Sequence, residues 1–216
     1  MGFLKKVART LFTQIRERGL LSTLLMNLSH CIALLRGMFY KLIYNKRIQG
    51  YLFSMQGNSS IELFDKQSKA HIGKFVFMRK NVSIRVDSGG QLHIGEKSFI
   101  NDNCTINCAL RISIGRHTKI APNVCINDHD HNYKNSEDGH LIKSEVVVGD
   151  HVWIGANAVI LRGTIIGDHA VIAAGSIVKG TVPPHTLFLN QRENRLISFG
   201  EQANDQASVA AMKGSL

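Results

Sequence analysis

The sequence predicts a mainly β protein, a parallel β-helix of short repeats preceded by an N-terminal helical arm. Over much of the chain an aliphatic residue recurs at every sixth position, whereas the first 50 residues carry apolar residues at helical spacing among basic ones. A period of six fits a short strand plus a tight turn, because an amphipathic helix has a period of 3.6. We therefore divide the chain into an arm at residues 1–56, a β-helix at 57–185 and a C-terminal extension at 186–216.

The N-terminal arm is basic as well as apolar. Residues 1–50 hold nine Lys or Arg and one Glu, so they contribute +8 to the net charge of +10. Apolar residues at three- and four-residue spacing predict an amphipathic helix over 3–18, which Gly19 is expected to end. The segment Leu20–Leu35 has no charged residue, but its 16 residues are short and include polar ones. Since a spanning helix needs about 20 mostly apolar residues, we do not expect it to cross a membrane.

Two roles for this arm remain open, and both can hold together. Residues 1–50 suit an anionic membrane surface, which would make the protein cytoplasmic and peripheral on the inner face of the cytoplasmic membrane. The arm also suits a cap over the first coil, because an uncovered β-helix end is an open sheet edge. Nucleic-acid binding is not expected, since no recognised motif accompanies the basic residues.

The repeat is clearest over residues 146–180. Its inward aliphatic positions are Val148, Ile154, Ile160, Ile166, Ile172 and Val178. The same period appears in three earlier blocks, namely Ile72, Met78 and Ile84, then Ile94, Ile100 and Ile106, then Ile114, Ile120 and Ile126. We expect these side chains to stack in the core while neighbouring coils pair as parallel strands, about 4.8 Å apart.

The period stops between Ile126 and Val146, in the loop 127–145. The segment is polar and holds three of the ten histidines. A long excursion from a regular coil is usually functional. Because side chains alternate along a strand, His129 and His131 are expected to lie on one face.

The segments VGDHVWIGANAVI and IAPNVCINDHDHNY carry a resemblance over residues 60–185. They resemble the hexapeptide-repeat acyltransferases, and most closely the maltose, galactoside and bacterial polysaccharide O-acetyltransferases. The resemblance implies a left-handed β-helix, a homotrimer and acetyl-CoA as acyl donor with no metal. It further implies transfer to a hydroxyl of a sugar or lipid-linked oligosaccharide in capsule, O-antigen or exopolysaccharide biosynthesis.

The resemblance also implies the catalytic residues. An ungapped alignment on IAPNV puts the family's catalytic histidine at His131, with His129 beside it as an acceptor-binding candidate. In that family the histidine takes the proton of the acceptor hydroxyl as its oxygen attacks the thioester. The same alignment lands Asn101 on the asparagine that holds the acceptor, and Asn103 on a second one.

The coenzyme A positions implied by the resemblance are Ala156, Ala174, Lys179 and Arg195. Two departures affect them. Lys179 stands one place before the family's usual lysine position, and the segment after Pro184 lacks the usual Gly and Pro, so Arg195 stands in for the expected arginine. We expect Trp153, which precedes Ala156, to lie in the core.

Other functions share this fold class. Within the transferases, the alternatives are an N-acyltransferase of a nucleotide amino sugar and a serine-type acetyltransferase. A γ-type carbonic anhydrase would hold zinc through three histidines, but His129 and His131 lack its five-residue spacing, and the four cysteines show no zinc pairing. A non-enzymatic β-helix scaffold would need no histidine-bearing loop.

Overall fold

The arm consists of two helices joined at one glycine. The structure, a computed structural model, describes residues 2–50, 52–133 and 140–190, without the side chains of residues 3 and 4. Helix α1 spans Gly2–Arg18, helix α2 spans Leu20–Tyr44, and a short 3-10 turn covers Asn45–Arg47. The predicted stop at Gly19 is confirmed: its φ of +80° is in the region that glycine adopts without a steric penalty.

Twenty of the described strands form three parallel sheets. Sheet one contains β1 Ile48–Gln49, β4 Lys69–Ile72, β7 Gln91–Ile94, β10 Arg111–Ile114, β15 Val146–Val148, β18 Ile165–Ile166 and β21 Thr181–Val182. Sheet two contains β2 Ser54–Met55, β5 Phe77–Met78, β8 Phe99–Ile100, β11 Lys119–Ile120, β16 Trp153–Ile154, β19 Val171–Ile172 and β22 Leu187–Phe188. Sheet three contains β3 Ser60–Leu63, β6 Ser83–Val86, β9 Thr105–Cys108, β12 Cys125–Asn127, β17 Val159–Ile160 and β20 Ile177–Val178.

Each complete coil adds one strand to each sheet, so the sheets are the three walls of a prism, and the last described coil contributes β21 and β22 alone. The predicted parallel β-helix with an N-terminal helical arm is confirmed. Ile154 pairs with Ile172 and Ile160 with Val178 on neighbouring coils, and all four side chains are buried. The predicted inward positions of the three earlier blocks are buried as well.

The prism begins earlier than the predicted boundary at residue 57. Its first strand, β1, starts at Ile48 and pairs with β4, and its last strand, β22, ends at Phe188. The inward residues Ile48 and Met55 are fully buried but stand seven positions apart, so the six-residue period does not reveal the first coil.

The corners between the walls are regular. We call them the first corner (sheet one to sheet two), the second corner (sheet two to sheet three) and the third corner (sheet three to sheet one of the next coil). In the second corner, Asn81, Asn103, Asn123 and Asn157 have φ near +60° and hydrogen-bond through their side-chain amides. In the first corner, His117, His151, His169 and His185 stack with ring centroids 4.8 Å apart. These ladders hold successive coils in register.

Helix α2 covers the first coil, as a cap does. A Cβ on Gly37 would clash with the carbonyl oxygen of Phe53, so the helix backbone lies directly on the coil. Tyr40 and Tyr44 pack against the hydrophobic core. The segment Leu20–Arg47 is, among the described residues, the one helix that is long and apolar enough to cross a membrane by length and composition alone.

The expectation for Trp153 is wrong. Its side chain is 56% exposed on the outer surface of sheet two. Strand β16 has two residues, and the inward position belongs to Ile154, so the neighbouring Trp153 has to point outward.

The cysteines differ in environment, which predicts their reactivity. Burial raises the pKa of the Cys104 thiol to about 11 and that of Cys108 to about 12, whereas Cys31 on α2 is exposed. At pH 8 a thiol of pKa 11 is only about 0.1% thiolate, so we expect Cys104 and Cys108 to react at least ~100-fold more slowly than Cys31. Timed maleimide labelling followed by mass spectrometry measures this. Rapid labelling of either buried thiol in the native protein would contradict the prediction.

Candidate active site

A β-hairpin interrupts the third corner after β12. Its strands are β13 His129–His131 and β14 Leu141–Lys143, which pair antiparallel with His131 opposite Leu141 and His129 opposite Lys143. The predicted loop 127–145 thus contains a short sheet at its base. Residues 134–139 lie outside the described part of the chain.

A buried carboxylate fixes the base of this hairpin. The side chain of Asp128 is fully buried and accepts hydrogen bonds of 2.8 Å from the backbone N–H groups of Ala109 and Leu110. Both donors belong to the third corner of the preceding coil. Buried carboxylates are costly unless they are hydrogen-bonded in this way, so Asp128 ties the hairpin firmly to that coil.

Two further contacts hold the hairpin from both sides. The Lys143 ammonium donates to the carbonyl oxygen of Ala109 over 3.1 Å. On the side of the next coil, Arg162 Nε lies 2.6 Å from the Asp130 carboxylate, and the Arg162 side chain is 23% exposed. The short strand β13 is therefore anchored at Asp128 and again at Asp130.

The two histidines of β13 have different surroundings. His129 is mostly buried, and its Nδ1 lies 2.9 Å from Asp128 Oδ1. Because an ionised carboxylate only accepts hydrogen bonds, this contact puts the proton of the neutral imidazole on Nδ1 and leaves Nε2 as a base. His131 is exposed, so its ring is accessible to a substrate from solvent. The two histidines are two residues apart in β13, so their side chains lie on the same face of the hairpin.

Asn101 and the two alanines lie at another corner of the prism. Asn101 follows β8, Ala156 follows β16 and Ala174 follows β19, all in the second corner. The four-residue strand β9 separates the second corner from the third, a distance of about 13 Å at 3.3 Å per residue. One chain therefore does not bring Asn101, Ala156 or Ala174 next to His131.

The remaining sequence-predicted residues are spread further. The Asn103 amide is engaged on both sides by the asparagine ladder, which marks it as a turn residue. The Asn101 side chain accepts a hydrogen bond of 2.9 Å from the N–H of Asp102. Lys179 is exposed in the third corner beyond β20, and Arg195 lies outside the described residues.

Sequence reasoning missed Asp128 and Arg162. The sequence Asp-His-Asp-His over 128–131 is a usable signal for the first, since it puts a carboxylate directly before a histidine, where it can accept a hydrogen bond from the imidazole. Nothing near Arg162 indicated its partner, which lies 32 residues earlier. Within the described ranges, no group of three His, Cys, Asp or Glu side chains is arranged to hold a metal ion.

Comparison with known proteins adds independent findings. The family described as bacterial transferase hexapeptide (six repeats) matches residues 145–180. Galactoside O-acetyltransferase of Escherichia coli (strain K12) is 32% identical over 151 residues, which are 66% of this chain and 73% of that protein. A putative lipopolysaccharide biosynthesis O-acetyl transferase of the same organism is 35% identical over 119 residues, covering 49% of this chain and 61% of that protein.

A solved structure agrees on the fold. An N-acyltransferase from Bacillus cereus, in complex with dTDP-4-amino-4,6-dideoxyglucose and coenzyme A, matches with a TM-score of 0.54 and 14% identity. The match covers 82% of this chain and 94% of that one. At this identity, the likeness supports the fold and not the substrate.

Proposed function

The chain belongs to the hexapeptide-repeat acyltransferases, a family with the left-handed parallel β-helix fold, and we propose that it O-acetylates a sugar of a bacterial surface polysaccharide. Acetyl-CoA is the donor and the reaction is cytoplasmic. The observation that carries this proposal is the anchored strand pair β13 and β14, which presents two histidines from the segment that interrupts the repeat after Ile126. The relatives named as O-acetyltransferases favour a hydroxyl acceptor over an amine.

His131 is the proposed general base. Its neutral imidazole takes the proton of the acceptor hydroxyl as that oxygen attacks the thioester carbonyl. The coenzyme A thiolate leaves, so acetyl passes directly to the sugar and no covalent acyl-enzyme forms. His129, held by Asp128, lies beside the base and binds the acceptor. The hairpin is anchored on two coils, and such rigidity keeps a base within reach of its substrate.

The second corner suits the donor. Ala156 and Ala174 follow equivalent strands of adjacent coils, and Gly155 between those coils leaves no room for a side chain, since a Cβ there would lie 2.6 Å from the Ala174 nitrogen. Small side chains leave the backbone of this corner open to an extended ligand. We propose that Ala156 and Ala174 line the coenzyme A groove, with Lys179 and Arg195 near its phosphates, and that Asn101 contacts the acceptor.

A homotrimer is the expected assembly. The reason is that Asn101 and the alanines share one corner whereas His131 occupies another, so a complete site needs corners from two chains. In a homotrimer with closed cyclic symmetry, each of the three interfaces can bring a corner of one chain against a different corner of its neighbour. Analytical ultracentrifugation of active protein is expected to give three times the 24.0 kDa chain mass. An active monomer would contradict both the trimer and the shared site.

Acceptor choice tests the proposed function. Purified protein and its His131→Ala variant are incubated with acetyl-CoA and a panel of nucleotide sugars, nucleotide amino sugars and lipid-linked oligosaccharides, and released thiol is measured. We expect turnover with a hydroxyl acceptor, and the acetyl ester should be cleaved by mild alkali. An alkali-stable amide product on an amino sugar would instead establish the N-acyltransferase alternative. No turnover with any acceptor, in protein that binds acetyl-CoA, would count against the proposal.

A further inference from the structure

We propose that α1 and α2 dock this protein onto an anionic lipid surface, through the outward face of α2. The first argument is that the helix pair is built with its polar side chains inside. Asn27 Nδ2 donates to Gln14 Oε1 over 3.3 Å between the helices, and Thr23 is buried at the same contact. In water a helix pair buries its apolar side chains instead, so this arrangement fits an apolar environment outside the pair.

The outward face of α2 is the second argument. Its large apolar side chains are all exposed, most of them by about half or more. They are Leu21, Leu24, Leu25, Leu28, Ile32, Leu35, Phe39 and Leu42. Their three- and four-residue spacing lines them up along one side of the 25-residue helix, roughly 37 Å at 1.5 Å per residue. Exposed apolar patches of this extent usually mark a binding surface.

Charge identifies the partner. Residues 1–50 contain nine basic side chains and the single acid Glu17, and α2 contains no acid at all. An anionic lipid surface complements both properties, because it offers negative headgroups beside acyl chains. A second copy of the arm offers Glu17 as its single acidic partner against nine basic side chains, and brings a like charge of +8. The lipid surface is therefore the better match.

The way α2 is held indicates a surface position. Gly37, Tyr40 and Tyr44 face the first coil, and the Lys41 ammonium hydrogen-bonds to the carbonyl oxygens of Asn45 and Ile48. A helix crossing the bilayer would have to give up these contacts and expose the first coil. With α2 kept on the prism, only its outward face is available to lipid.

Cys31 is a native reporter of this docking. It is exposed and lies between Leu28 and Leu35 on the outward face, whereas Cys104 and Cys108 are buried. In full-length Cys125→Ser protein, an uncharged polyethylene glycol maleimide should label Cys31 at least ~10-fold more slowly when phosphatidylglycerol vesicles are added. Phosphatidylcholine vesicles should protect it less, and high salt should weaken the protection by screening.

Variants separate docking from other effects. Leu24→Ser/Leu28→Ser should lose flotation with phosphatidylglycerol vesicles. The matched double variant Leu187→Ser/Leu189→Ser, which changes two exposed leucines at the opposite end of the prism, should float as wild type does. Far-ultraviolet circular dichroism and acetyl-CoA turnover check that each variant is folded. Because flotation is measured without substrate, its failure leaves the proposed acetyltransferase activity untouched.

Three outcomes would overturn the proposal. One is full-length protein that stays at the bottom of the gradient with every lipid. Another is Cys31 that is already unreactive without lipid, because another copy of the chain covers it. The third is vesicle-bound protein that resists extraction by both high salt and alkaline carbonate, as a spanning helix does.

Discussion

Replacement of His131 by alanine is expected to lower acetyl transfer about 100-fold or more, because a positioned general base typically contributes 10²–10⁴ in rate. The His131 side chain is exposed, so its removal leaves no cavity in the core and the fold should persist. The loss should appear in kcat more than in the KM for acetyl-CoA, since proton transfer belongs to the transition state. Steady-state kinetics with a reactive acceptor, together with thermal unfolding of both proteins, measures the effect.

His129→Ala is the matched control, because His129 is two residues before His131 and lies on the same face of β13. We expect a much smaller loss from it, seen mainly in the KM for the acceptor. The reverse pattern, with His129→Ala inactive and His131→Ala near normal, would move the base to His129. The Asp128–His129 pair has the geometry for that role, since a carboxylate that holds Nδ1–H leaves Nε2 free to accept a proton.

Asp128→Ala is expected to impair stability and turnover together. It leaves the buried Ala109 N–H without its acceptor, which costs about 1–3 kcal/mol, and releases the base of the hairpin. Misplacement of a catalytic group by about 1 Å can cost roughly 100-fold, so we expect kcat to fall about tenfold to 100-fold. Urea unfolding at one fixed chain concentration and steady-state kinetics measure the two effects.

Asp128→Asn is the control variant, because asparagine keeps the size and shape of the aspartate side chain and removes its charge. Its amide oxygen can still accept from one of the two backbone N–H groups, so its stability loss should be smaller than that of the alanine variant. Asp128 acts through the hairpin, and hydrogen exchange should therefore show faster opening at Ala109 and Leu110 in Asp128→Ala. Wild-type stability and exchange in Asp128→Ala would show that this carboxylate does not anchor the hairpin.

The sequence by itself determined the wall of the prism. Each coil repeats the same environment, so inward residues such as Ile154 and Ile172 recur at a fixed spacing that can be read without coordinates. The loop 127–145 was also located in this way, because it interrupts the period, although its two antiparallel strands were not predicted. The first coil escaped detection, since one extra residue separates Ile48 from Met55.

Only the tertiary structure decided how the non-repeating parts meet. Asp128 is bonded to a coil 18 to 19 residues earlier, and Asp130 to Arg162, 32 residues later. The structure likewise put Asn101 and His131 at different corners, and turned the polar side of α2 inward against α1. Such contacts depend on the length of each loop and on the corner of the prism at which it is inserted. Loop length and insertion point produce no period along the chain. The repeat can therefore be predicted from the spacing of residues along the chain, whereas the candidate site is assembled by contacts between coils.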